Sequence, residues 1–102
     1  MTIYYFDSLG RWVAFRTSKD DKNVFGPNAQ WIGWLAWNND DVCGVSTKRY
    51  LGTLVGDRFL KKVHAPSHFT PFTPFTPFTP FTPFTPFSKH SMGLPAGYVD
   101  VS

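Results

Sequence analysis

Proline at every third position over a long stretch removes most of the secondary-structure menu, and this chain contains such a stretch. Six consecutive Phe-Thr-Pro triplets run from Phe69 to Pro86 and are closed by Phe87. Proline has no backbone N–H and its ring clashes with the preceding helical turn, so the run is excluded from a helix interior and from a central strand. Threonine ahead of each proline is pushed to β or polyproline II geometry. The expected conformation is an extended polyproline II tract with three residues per turn. Phe69, Phe72, Phe75, Phe78, Phe81, Phe84 and Phe87 then form one ridge, the threonines a second and the prolines a third. Held straight, its 19 residues would span roughly 59 Å at about 3.1 Å per residue.

At 102 residues there is room for one domain. Setting the tract aside leaves residues 1–63 to build a core, residues 64–90 as the tract region and residues 91–102 as a C-terminal tail. A core that short is marginal alone. Cys43 is the only cysteine, which rules out an internal disulfide and argues against a cysteine-based zinc cluster. Association with further copies is the remaining common remedy, so a homo-oligomer is expected. No apolar run approaches the roughly 20 residues of a membrane span. The start, Met1 to Asp7, lacks the basic and apolar regions of a signal peptide, so the expectation is a cytoplasmic protein with no membrane partner. The net charge of +3 arises before the tract, where both signs are interspersed apart from the cluster Arg58 to Lys62. Nucleic-acid binding, which needs a concentrated basic stripe, is not expected.

A second periodicity occupies the front. Trp12-Val13-Ala14, Trp31-Ile32-Gly33 and Tyr50-Leu51-Gly52 each read aromatic, aliphatic, small, and stand 19 residues apart. Upstream, Tyr5-Phe6, Val24-Phe25 and Cys43-Gly44 fall in matching places. Self-similarity at a fixed period is the mark of a repeat architecture. Each unit reads as a β-hairpin: Ile3 to Phe6, the turn residues Asp7-Ser8-Leu9-Gly10, then a strand from Arg11 to Thr17. In the second unit Gly26-Pro27-Asn28 is the turn. Strict alternation puts Trp12, Ala14 and Arg16 on one face. Glycine inside a strand often marks a close backbone approach. The small positions Ala14, Gly33 and Gly52 therefore suggest hairpins converging on a common axis, packed by Trp12, Trp31 and Tyr50. A fourth unit begins near Gly56 to Leu60.

On these residues, best over Tyr5 to Phe15, the chain resembles the small bacterial proteins described as a four-fold β-flower. The resemblance covers roughly Thr2 to Val63, with the tract matched by type of sequence. It implies short hairpins set like petals with a proline-rich tail behind them, and it carries no established activity. The fold expected is thus all-β: repeated β-hairpins around a common axis, followed by an extended polyproline II-like tail. Leu94 to Val101 supply one further short strand, placed at an edge of the front domain.

Seven phenylalanines in a row make the tract the candidate interaction element. Large exposed apolar patches are unusual on monomers and mark interfaces. The ridge is expected to pack on protein: its own front domain, another copy, or a partner. Three other readings stand beside it. The tract is a linker expanded by repeat slippage, or a polyproline ligand for an aromatic-lined groove. As a third, it is a Thr-Pro array accepting phosphate at Thr70, Thr73, Thr76, Thr79, Thr82 and Thr85.

Candidates for chemistry are thin. His64 and His68 are four apart, but Pro66 between them disfavours a shared helix face, and His90 stands alone, so no metal site is expected. Cys43 reads as a small packed residue. Asp20-Asp21 and Asp40-Asp41 read as solvated connectors rather than a catalytic pair. No catalytic residue and no cofactor is expected, and an enzyme is not. The exposed tryptophans, with Asn38, Asn39 and Asp40, give the alternative of a small carbohydrate- or ligand-binding β module. The leading expectation is a structural or interaction protein that self-associates through the β domain, the tract, or both.

Overall fold

The computed structural model describes residues 1–101. Its strands are β1 (Ile3–Phe6), β2 (Trp12–Arg16), β3 (Asn23–Phe25), β4 (Trp31–Trp34), β5 (Asp41–Gly44), β6 (Tyr50–Val55), β7 (Arg58–Lys62) and β8 (Tyr98–Asp100). Each pairs antiparallel with the next, and a parallel bridge between Phe6 and Arg58 joins β1 to β7 and closes the first seven into a small barrel-like sheet. The Phe6 amide seals this seam by donating to the Asp57 carbonyl at 2.9 Å. β1 takes the start of β7, and β8 takes the same edge further along, at Leu60 to Lys62. The fold is all-β, with hairpins set around one axis. No helix of the described residues is long and apolar enough to cross a membrane.

The first three hairpins share one irregularity. Tyr5 faces Ala14 and Phe6 faces Trp12, so Val13 is an extra residue that bulges out of the ladder. Val24 and Phe25 face Gly33 and Trp31, leaving Ile32 in the same position. Val42 and Cys43 face Gly52 and Tyr50, leaving Leu51. A bulge bends its strand and breaks the two-residue alternation. Two expectations are corrected here. Trp12 and Ala14 do not share a face: Ala14 packs with Tyr5, Val24, Val42, Leu54 and Phe59, whereas Trp12 packs against the separate cluster of Phe15, Phe25 and Ala29. The third unit also aligns at Val42-Cys43 rather than Cys43-Gly44, because its turn holds six residues, 44–49, where the first two turns hold five, 7–11 and 26–30.

Turn chemistry explains how the chain reverses each time. The Asp7 carboxylate accepts from the amides of Leu9 and Arg11 at 3.0 and 2.8 Å and from the Arg11 Nε at 2.7 Å, which fixes the first turn. Two residues ahead of Trp12, Trp31 and Tyr50 the backbone turns left-handed, at Gly10 (φ 87°), Ala29 (φ 62°) and Lys48 (φ 60°). Only glycine enters that region without strain.

The fourth hairpin is β7 with β8. Phe15 faces Phe25, Trp34 faces Cys43 and Thr53 faces Leu60, so Leu60 occupies the place of Phe6, Phe25 and Cys43. Its partner Asp100 stands where Trp12, Trp31 and Tyr50 stand, and Val101 follows as Val13, Ile32 and Leu51 do. Tyr5, Val24, Val42 and Phe59, one from each hairpin, are at most 3% exposed and form the axial core. Each contributes about 1.5–3 kcal/mol by leaving water.

The Phe-Thr-Pro tract is therefore the connection within the fourth hairpin, lying between β7 and β8, and does not trail behind the last strand. Residues 65–95 carry neither helix nor strand. The molecule measures 36 × 34 × 20 Å along its principal axes, less than a straight tract would require. The tract instead bends across its own domain.

Candidate functional site

Two clamps hold the tract. At its start the His68 ring stacks on Trp37, centroids 4.2 Å apart and planes inclined by 14°, while its Nε2 lies 2.9 Å from a carboxylate oxygen of Asp41. The Trp37 indole N–H donates to the carbonyl of Phe69 at 3.0 Å. Asp41 is buried at the head of β5 and also accepts from the Thr53 hydroxyl at 2.7 Å and from Lys62 Nζ at 3.1 Å. Burial opposes its charge, but the hydrogen bonds from His68, Thr53 and Lys62 outweigh it and hold the carboxyl below its usual range. The same contact raises the Lys62 ammonium above its usual value.

The second clamp takes the chain back toward the first turn. The Tyr4 hydroxyl donates to the Phe84 carbonyl at 3.2 Å, the Lys89 amide to the Gly10 carbonyl at 2.9 Å, and the Met92 amide to the Ser8 carbonyl at 2.7 Å. Arg58 is buried and bridges the two segments, giving one Nη to the Asp7 carbonyl at 2.7 Å and the other to the His90 carbonyl at 2.9 Å. Lys89 Nζ meets the Asp57 carboxylate at 2.8 Å, which places that carboxyl below its usual range. The first turn needs glycine at position 10 for a second reason: any Cβ there would strike the Lys89 carbonyl.

Between the clamps the three residue types of the tract differ in exposure. Pro71, Pro77, Pro80, Pro83 and Pro86 are half-buried, facing the domain. All six threonines from Thr70 to Thr85 are exposed. The phenylalanines face outward: Phe69 is 72% exposed and the other six range from 94 to 100%. Docking of the ridge on its own front domain is thus not what holds the tract; prolines and backbone carbonyls do so, and apart from Phe69 the rings bury almost nothing within the chain. Seven side chains that each bury roughly 150–250 Å² when covered present a patch well above the few hundred Å² usual for a monomer.

The bulges make a second feature. Val13, Ile32, Leu51 and Val101 converge on a cavity of about 580 Å³, walled also by Trp12, Trp31 and Phe59. In the first three units the bulge gives the aliphatic residue its own direction, which strict alternation does not provide. Ala14, Gly33 and Gly52 are buried; a Cβ on Gly33 would sit 2.5 Å from the Cys43 carbonyl oxygen and 2.6 Å from a Val42 methyl. Trp12 donates from its indole N–H to the Ala14 carbonyl at 2.8 Å, and the corresponding N–H of Trp31 is enclosed without a partner. Tyr50 lies apart from the cavity, its hydroxyl 2.6 Å from that of Thr53 and accepting from the Lys62 amide at 2.9 Å.

The other sequence candidates take ordinary positions. Cys43 is fully buried, which raises its thiol above the usual value. Asp21 accepts from Thr17 and Asn23 within its connector. Among the described residues no three histidine, cysteine or acidic side chains gather as metal ligands. Trp34 is buried, and the face of Trp37 is covered by His68. No family model, no curated protein and no solved structure matches the chain.

Proposed function

We propose that this chain is a non-enzymatic interaction protein of the β-flower type, built from four copies of one hairpin unit, which self-associates through the phenylalanine ridge displayed by its fourth hairpin. The observation that carries this reading is the outward position of seven phenylalanines on a segment whose backbone is clamped at both ends. A polyproline II strand offers any of three ridges to the surface it crosses. Here five of the six prolines are half-buried, and the phenylalanines are left to solvent. A partner covering the rings removes that surface from water at about 25 cal/mol per Å². The tract is tied to the domain near both ends, so less conformational freedom is lost on docking than for a free segment.

The alternative of carbohydrate stacking on exposed tryptophans has less support: Trp34 is buried, one face of Trp37 is covered, and Trp12 and Trp31 are half-buried. Sedimentation velocity over a concentration series tests the proposal. The full chain is expected to grow with concentration, and a variant carrying serine at Phe72, Phe75, Phe78 and Phe81 is expected to stay monomeric. A full chain that is monomeric throughout overturns it.

A further inference from the structure

We infer that the axial cavity is the receptor for the Phe-Thr-Pro ridge of a second copy of this chain, an assignment that rests on the self-association proposed above. The cavity's volume of about 580 Å³ lies in the range of sites that take small ligands and side chains, about 300–1,000 Å³. Its walls are the bulged Val13, Ile32 and Leu51 of the first three hairpins and Val101 of the fourth, with the indoles of Trp12 and Trp31 beside them. Its one ionisable lining residue is Asp7, whose carboxylate is engaged by Arg11 and Leu9. An apolar recess lined by aromatic rings is the kind of surface that proline-rich extended segments recognise. The chain itself carries such a segment, uncharged from Phe69 to Phe87.

The tract of the same copy does not fill the cavity. It is fixed at Trp37 and at Tyr4 and Gly10, and its rings point away from the domain. A second copy is under no such constraint. One inserted ring buries roughly 150–250 Å², well short of the ~800 Å² per partner of a stable interface. The neighbouring rings and prolines of the ridge must supply the remainder. The contact joins a ridge on one copy to a cavity on another, two different surfaces, so it propagates head to tail and either closes into a ring or extends as a filament.

Complementation tests this. Ser46 is exposed beside the cavity, and Ser46→Arg places a charge at its edge; Leu51→Phe fills it from within. Both keep the ridge. Each is expected to weaken self-association about ten-fold or more, the loss that accompanies removal of a buried anchor contact. Mixing Ser46→Arg protein with the four-serine tract variant, which keeps the cavity, is expected to restore a 1:1 complex in sedimentation. Near-UV circular dichroism confirms that each variant is folded, and either cavity variant suffices if the other is not. If both cavity variants associate as the full chain does while the tract variant does not, the cavity assignment is wrong and self-association through the ridge stands. If the full chain is itself monomeric, both fall.

Discussion

Leu60 faces Asp100 across the β7–β8 pair, although 39 residues lie between them. In the other hairpins the corresponding gap is five residues, from Phe6 to Trp12 and from Phe25 to Trp31, or six, from Cys43 to Tyr50. Closure entropy grows slowly with length, so opening the gap from five residues to 39 costs only about 2 kcal/mol. The two clamps oppose that cost. The fourth hairpin can therefore carry the tract without giving up its place in the sheet.

Gly33→Ala is expected to destabilise the domain by about 1–3 kcal/mol, the range for overpacking a tight interior. The added methyl meets the Cys43 carbonyl and a Val42 side chain in the axial core, neither of which can retreat freely. Urea unfolding followed by tryptophan fluorescence measures the change. Gly93→Ala, where a Cβ meets nothing within 4 Å, serves as the control and is expected to be neutral. Equal midpoints for the two variants would remove the close-approach argument.

Lys48→Gly is expected to stabilise by about 0.5 kcal/mol. Relief of a left-handed backbone contributes about 1–2 kcal/mol, and the greater freedom of glycine in the unfolded chain offsets part of it. The lysine also gives up its contact with the Val45 carbonyl. A lowered urea midpoint would show that this contact outweighs the strain at φ 60°.

Acid is expected to loosen the first clamp. Asp41 titrates below its ordinary value of 3.8 in the folded chain. The unfolded state therefore binds the proton more readily, and the stability Asp41 contributes is complete above that ordinary value and lost as pH falls through the folded one. Stability measured in urea from pH 6 downward is expected to decline less steeply in Asp41→Asn than in the parent. Asp7 and Asp57 are depressed in the same direction and keep part of the slope in the variant. Identical slopes would mean that the contacts of Asp41 with His68 and Lys62 do not persist in solution.

Much of this architecture is readable from particular residues. Trp12, Trp31 and Tyr50 recur at a fixed spacing because each stands opposite the same buried position, and Gly33 and Gly52 mark where backbones meet. The fourth hairpin hides itself, because Asp100 replaces the aromatic and the tract displaces it from the period. Alternation misassigns the faces because Val13, Ile32 and Leu51 are bulged, and a bulge depends on pairing that alternation ignores. The phenylalanine ridge is evident from composition. Its direction is not, because it depends on carbonyls of Phe69 and Phe84 that accept from Trp37 and Tyr4, and backbone acceptors leave no mark in side-chain patterns.

The central claim is that the tract is an insertion in the fourth hairpin that displays its phenylalanines for association. Excision tests it most directly. Lys62 and Tyr98 are paired residues, so replacing 63–97 with Asn-Gly, a two-residue turn suited to a tight hairpin, rejoins β7 to β8. The account predicts a protein with the near-UV circular dichroism and cooperative unfolding of the closed domain that sediments as a monomer at concentrations where the full chain assembles. An unfolded product, or one that assembles as the full chain does, would contradict it.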